Sequence, residues 1–231
     1  MKPKSLAVFD IDKTLSREFL VVPIIQAEEQ SQLLAPGTFG KVVELLTALK
    51  NGEMEYEHAA HQVLVTHATG LQGKEVTALH DHARSFLAQH TQLFRRFGGE
   101  VVKLLQPTHE LIAVTAEPEY MALAVVENFN MNMALASQYA VVDGEFTGKV
   151  NRSLAHRTEK RNLLGDLRPD FAFGDSAGDI EMLSHAHHAI CISPDAELED
   201  IAKEKGWESF DGENDTEKII LSIKKYLRNA A

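Results

Sequence analysis

Five short apolar runs, separated by stretches with helical periodicity, constrain this chain more than any other feature. They cover residues 5–9, 111–114, 139–142, 171–173 and 189–192. Each is too short for a helix and is bounded by polar or turn-forming residues, so each reads as a buried strand. Helical patterns lie between most of them, at 119–129 with Pro118 near its start, at 158–164 and at 177–185. Strands alternating with helices predict an α/β chain: a doubly wound, mostly parallel, Rossmann-like sheet with helices on both faces. Ligands of such sheets bind beyond the carboxyl ends of the strands.

Residues 16–94 break that rhythm. The segments 19–34, 39–49, 56–67 and 74–90 all carry apolar residues at helical spacing, punctuated by Gly52, Gly70 and Gly73. The expected organisation is therefore a catalytic core of residues 1–15 and 95–231, with an all-helical cap of residues 16–94 inserted after the first strand. An insertion at a strand's carboxyl end lies over the site and can serve as a lid. Residues 143–148, Asp-Gly-Glu-Phe-Thr-Gly, predict a turn into a short hairpin. Residues 215–227 predict a closing helix, with 229–231 frayed.

Composition narrows the function. The net charge is −11 and the basic residues are scattered, which argues against a nucleic-acid surface. The longest apolar runs, such as 19–25, are too short to cross a membrane. The start, Met1-Lys2-Pro3-Lys4, is basic, but Asp10 and Asp12 interrupt the apolar stretch behind it, so no signal peptide is expected. With Cys191 as its single cysteine, the chain forms no internal disulfide, and the expected location is the cytoplasm. An acidic surface does not attract anions, so any anion site must be built locally from a cation, backbone N–H groups or a lysine.

Two short motifs carry the chemistry. Asp10-Ile11-Asp12-Lys13-Thr14 directly follows the first apolar run. Gly174-Asp175-Ser176-Ala177-Gly178-Asp179 follows the run at 171–173 and opens a helix. Helix capping explains one of the later aspartates comfortably and two less well. Together the motifs place four carboxylates at two strand ends, and such hard oxygen ligands favour Mg²⁺. Between them, Thr115 ends a strand and, with nearby N–H groups such as that of Ala116, can hold phosphate oxygens. Lys160 lies at a helix start. His185, His187 and His188 cluster at a helix end, where capping and the helix dipole explain them better than a metal does. His58, His61 and His67 read as surface or core-edge groups, and Trp207 and Cys191 as core.

The order Asp-x-Asp, Thr, Lys, Gly-Asp-x-x-x-Asp resembles the haloacid dehalogenase superfamily, over residues 1–15 and about 95–229. Asp10, Asp12 and Thr14 match its first motif, Thr115 its second, Lys160 its third, and Gly174, Asp175 and Asp179 its fourth. The inserted helical segment and the stretch at 143–148 are similar to the phosphoserine-phosphatase-like subgroup. The resemblance implies a Mg²⁺-dependent phosphatase acting on a small phosphorylated metabolite, with neither nucleic acid nor membrane as partner and the oligomeric state open. Asp10 is then the nucleophile and forms an aspartyl-phosphate, and Asp12 is the general acid and base. Asp10, the Asp12 carbonyl and Asp175 hold the metal. Thr115 and Lys160 bind phosphoryl oxygens, Asp179 holds Lys160 or a metal-bound water, and Thr14 buttresses the loop. A phosphomutase on the same scaffold and a non-catalytic regulatory protein are the alternatives.

The chain departs from that subgroup in specific places. Its second motif is Thr115-Ala116-Glu117-Pro118, where those enzymes have small residues, and Glu117 repels a phosphate unless it points away or meets a cation. Gly178 stands where they carry Asn. The cap stretch at 52–57 lacks the arginine that clamps a substrate carboxylate, leaving Arg17 and Arg84 as candidates. Glu18 lies near their substrate-amine ligand, offset by one residue. The expected substrate therefore has a neutral, cationic or apolar body rather than being phosphoserine.

Overall fold

The computed structural model describes residues 5–230; the basic start at 1–4 and Ala231 lie outside the described residues. Among the described residues, seven strands form one sheet in the order β4-β3-β2-β1-β5-β6-β7. They are β1 (Ser5–Phe9), β2 (His109–Pro118), β3 (Met133–Val142), β4 (Glu145–Arg152), β5 (Phe171–Gly174), β6 (His188–Ile192) and β7 (Glu208–Phe210). All neighbours pair parallel except β3 and β4, which form an antiparallel hairpin. The helices of the core are α5 (Arg96–Leu105), α6 (Glu119–Phe129), α7 (Arg157–Leu164), α8 (Ile180–His185), α9 (Ala196–Lys205) and α10 (Thr216–Ala230).

Strand alternation sorts the core into two layers. Ala7, Phe9, Leu111, Ala113, Phe171, Phe173, Ile190 and Ile192 face one cluster. Val8, Ile112, Val114, Ala172, Ala189 and Cys191 face the other, together with Leu164 of α7, Met182 of α8 and Leu198 of α9. Burial of both faces explains why the strands read as continuous apolar runs rather than alternating ones. Chain order reverses on either side of β1, so the crevice for a ligand lies at the carboxyl ends of β1, β2 and β5.

Between β1 and α5 come four helices: α1 (Val21–Gln30), α2 (Thr38–Lys50), α3 (Tyr56–Gly70) and α4 (Val76–Gln89). The chain leaves and re-enters the core side by side, through a bridge between Ser16 and Phe94 and an Arg17 N–H bond to the Leu93 carbonyl of 2.8 Å. The helical segment is not self-contained. The turn of the β3–β4 hairpin pairs with residues 73–76, where Phe146 N–H meets the Lys74 carbonyl at 3.0 Å and Val76 N–H meets that of Gly144 at 3.0 Å.

Several boundaries differ from the expectation. Strand β2 runs through Thr115 to Pro118, with a register shift against β3 between Val114 and Pro118. Strand β3 starts at Met133, because its first half pairs with β2 and its second half with β4. The predicted helix at 177–185 divides into a tight turn, Ala177–Asp179, and α8. Asn229 and Ala230 continue α10 instead of fraying. Trp207 is only partly buried against the second cluster, whereas Cys191 is fully buried.

Candidate active site

Asp10 is the first residue beyond β1, and its N–H donates to the Phe173 carbonyl at 2.9 Å. Asp175 is the first residue beyond β5. The ladder between these strands therefore delivers both carboxylates side by side. Asp179 packs under them so closely that a Cβ on Gly174 would fall 2.6 Å from its own, which restricts position 174 to glycine. One oxygen of Asp179 accepts the N–H groups of Asp175 and Ser176 at 3.1 and 3.2 Å. Its other oxygen accepts Lys160 Nζ at 2.7 Å. Lys160 also donates to Asp10 Oδ1 at 2.5 Å.

Charge in this floor is dense and dry. Burial raises the Asp10 carboxyl to about 8 against the pull of Lys160, with Asp179 and Asp12 adding repulsion. Burial and the negative charge of Asp10 hold Asp175 well above the carboxylate range. Burial works against the Lys160 ammonium, but Asp10 and Asp179 prevail and push its pKa up. Asp10, Asp175 and Asp179 offer oxygens within 4.8 Å of one another, the only such His, Cys or carboxylate cluster among the described residues. Both oxygens of Asp179 are engaged. Asp10 Oδ2 and Asp175 Oδ2 meet no donor among the described residues, since Lys160 and Thr14 bind the Oδ1 atoms. This all-oxygen, under-compensated set fits a hard divalent cation. The histidines at 185–188 do not form such a group; His188 instead meets Glu208 at 2.9 Å and Ser222 at 3.1 Å.

Residues 11–15 form one wide turn, closed by Ser16 N–H to the Ile11 carbonyl at 2.9 Å. Lys13 sits there at φ 54°, a strained conformation for a side chain with a Cβ. Arg95 holds the turn: its Nε donates to the carbonyls of Lys13 and Ser16 at 3.2 and 3.1 Å, and its guanidinium pairs with Glu213 at 2.8 Å. Thr14 lies under the loop and donates to Asp175 Oδ1 at 3.1 Å.

Asp10, Asp12, Ala116, Lys160 and Asp175 line one cavity of about 630 Å³. Thr115 does not reach it; it is fully buried and accepts the Glu117 N–H at 3.1 Å, so Ala116 forms the wall. Glu18 is exposed and is not among the lining residues. Arg17 is spent on Glu213 at 2.9 Å and Arg84 on Asp81 at 2.8 Å, so neither candidate arginine reaches the cavity. Arg157 does reach it, and is already forked onto Glu197 at 2.6 and 3.1 Å.

Glu117 points away from the cavity lined by Asp10 and Lys160. It is 4% exposed, with one oxygen accepting the Val21 N–H at 3.0 Å. Its other oxygen meets no N–H donor and faces the Asp12 carboxyl. Burial raises Glu117 to about 7, and burial together with the charge of Glu117 raises Asp12 well above its ordinary value. Two carboxyls so close repel each other unless a proton or a cation relieves them. Asp12 also accepts the Leu20 N–H at 2.8 Å, which fixes its direction.

The model of the haloacid dehalogenase-like hydrolase family matches residues 7–184. The chain belongs to that family. Among the curated relatives of this haloacid dehalogenase-like hydrolase is phosphoserine phosphatase SerB1 of Mycobacterium tuberculosis, 33% identical over 106 residues, or 42% of this chain and 34% of that one. The chain thus spans about a third of that relative's length. A protein of unknown function from Bordetella pertussis shares the fold with TM-score 0.73 at 21% identity, over 91% of this chain and 99% of that one. A substrate-bound phosphoserine phosphatase shares it with TM-score 0.64 at 18% identity, over 96% and 99%. Among the described residues, no helix is long and apolar enough to cross a membrane.

Proposed function

We propose that the chain is a Mg²⁺-dependent phosphomonoester hydrolase that acts on a small phosphorylated metabolite through an aspartyl-phosphate on Asp10. One observation carries this reading: a buried Asp10 braced by Lys160 at 2.5 Å, with Asp175 beside it and Asp12 on the same cavity wall. The names of SerB1 and of the substrate-bound phosphoserine phosphatase support the same reaction class.

Asp10, Asp175 and the Asp12 carbonyl are the groups that would hold Mg²⁺. Bound there, the ion lowers the repulsion between an anionic phosphate and Asp10 and stabilises charge on the phosphoryl oxygens. A carboxylate oxygen of Asp10 attacks phosphorus as the bond to the alcohol oxygen breaks. Asp12, whose carboxyl burial and Glu117 push toward the protonated form, gives its proton to that oxygen. Water then attacks the aspartyl-phosphate at phosphorus, Asp12 takes up the proton, and inorganic phosphate leaves with Asp10 restored. Lys160 and the Ala116 N–H hold phosphoryl oxygens in both steps. Thr115 keeps that backbone in place through Glu117, and Asp179 keeps Lys160 pointed at Asp10. The segment 16–94 serves as the cap of a core formed by the remaining residues, and the cytoplasm is the site of action.

A screen of phosphorylated metabolites with Mg²⁺, scored by inorganic phosphate, tests the reading. Asp10→Asn is expected to lower release by roughly 10⁴-fold or more, as loss of a nucleophile does. Unchanged release in that variant would remove Asp10 from the reaction, and phosphate retained on an organic product would indicate a mutase.

A further inference from the structure

The wall of the cavity facing Asp12 continues into a niche of about 50 Å³ lined from α1, α2, α3 and the end of β2. Its surface is almost wholly carbon, and its lining includes Phe19, Leu46, Leu49, Val63, Leu64 and the Glu117 side chain. By the same measure one water needs about 10–15 Å³, so the niche holds roughly three to five heavy atoms. It opens beside Asp12, the side from which the alcohol of a phosphomonoester departs. No cation lines the niche itself, and Lys50 lines the wider cavity only. Arg157 is forked onto Glu197, Lys160 is held by Asp10 and Asp179, and Lys13 lies over the Phe19 ring at 4.1 Å. The buried Glu117 carboxyl in the lining repels a carboxylate-bearing substrate at close range. A polar or charged substituent would lose water here and find only Asp12, Tyr56 and Glu117 as polar side chains in the lining.

Building on the phosphatase reading above, we infer that Phe19, Leu46 and Leu49 select phosphomonoesters whose alcohol carries a short, uncharged, branched or linear hydrocarbon body, and that Glu117 excludes carboxylated ones such as phosphoserine. Selectivity then resides in apolar fit above the scissile bond, while the floor and the Ala116 N–H hold the phosphoryl group. A pocket of this kind discriminates by about tenfold or more per methylene it fills.

The test compares kcat/KM for isobutyl phosphate, O-phosphoethanolamine and phosphoserine, which share a primary alkyl ester, on the full chain with Mg²⁺. Isobutyl phosphate is expected to lead both others by at least tenfold. A lead for phosphoethanolamine would assign the Glu117 carboxyl to cation binding and overturn the inference, as would a lead for phosphoserine or equal rates. Leu49→Arg places a cation at the niche mouth from a partly exposed position. It is expected to lower the isobutyl-to-phosphoserine ratio by at least tenfold, and an unchanged ratio in folded variant would also overturn the inference. Hydrolysis of p-nitrophenyl phosphate that is lost in Asp10→Asn separates the two levels. If it is present while isobutyl phosphate is not preferred, only the selectivity falls. If no ester is hydrolysed, the phosphatase reading falls and the selectivity with it.

Discussion

Beneath the cavity, Asp10, Asp175, Asp179 and Lys160 form a buried lattice in which Asp179 and Lys160 each serve several partners. Above it, Phe19, Leu46 and Leu49 present hydrocarbon and are only partly buried. The floor is rigid because its charges would be costly if any partner moved. The roof has no such constraint, since apolar contacts of similar volume exchange with little cost. On the proposed phosphatase reading, the contrast teaches that the floor fixes the reaction and leaves the roof free to choose the substrate.

Lys160→Met should break the floor most deeply. It leaves Asp10 and Asp179 buried without their cation, a change worth about 3–5 kcal/mol when one partner of a buried pair is removed. Urea unfolding at pH 8 should register that loss, and phosphate release should fall by roughly 10²–10³. Equal stability of variant and wild type at pH 8 would mean that the floor carries no charge for Lys160 to neutralise.

The next effect concerns pH and Mg²⁺. Asp10 and Asp175 have pKa values raised in the fold, so between about 4 and 8 the unfolded chain binds fewer protons than the native one. Stability without metal should therefore fall as pH rises from 5 to 8. A cation competes with those protons, so the gain from Mg²⁺ should grow over the same range. At 100-fold excess over its Kd the gain is about 2.7 kcal/mol, which thermal melts at pH 5 and pH 8 resolve. A larger Mg²⁺ shift at pH 5 than at pH 8 would contradict this arrangement.

Where roof meets core, a buried network sharpens the contrast. Glu28 of α1 accepts Tyr120 OH of α6 at 2.6 Å and meets His67 Nε2 of α3 at 3.0 Å; His67 Nδ1 meets Tyr139 OH of β3 at 3.1 Å. Tyr120→Phe leaves one Glu28 oxygen without its donor and should cost about 1–3 kcal/mol by chemical denaturation. No change in stability would show that the cap is held by its apolar contacts alone.

The floor was legible in the sequence because its residues follow apolar runs or open helices: Asp10 after β1, Asp175 after β5, Lys160 in the first turn of α7. Local pattern was enough to find them. What escaped depends on contacts between distant segments. His67 read as a surface or core-edge group, yet it is fully buried, because its three partners come from α1, α6 and β3. Arg95 carries no motif; its task is set by carbonyls of residues 13 and 16 and by Glu213. Glu117 was visible as an anomaly, but its pairing with Asp12 arises only because β2 continues to Pro118 and turns that side chain inward. The β3–β4 turn was expected, while its docking on residues 73–76 was not, since backbone pairing across 70 residues leaves no periodic trace.

The smallest effect lies at the solvent-exposed rim, where roof touches floor directly. Glu57 of α3 accepts the Arg157 N–H at 3.2 Å and meets His156 Nδ1 at 2.9 Å, so it caps the helix that carries Lys160. Both side chains are largely exposed, 57% for His156 and 40% for Glu57, which limits their contribution to less than about 1 kcal/mol. The Glu57 carboxyl is held below its ordinary value, first by the His156 hydrogen bond and then by the Arg157 N–H. A depressed pKa supplies stability that is present above the unfolded value of 4.5 and lost as pH falls through the folded one. Glu57→Gln should therefore lower stability slightly at pH 7, and the difference from wild type should vanish in acid and shrink in high salt. With α7 less firmly seated, KM for p-nitrophenyl phosphate should rise a few-fold while kcat, set by the floor, changes less. A fall in kcat with KM unchanged would place Glu57 in the reaction itself and dissolve the division between a floor that reacts and a roof that selects.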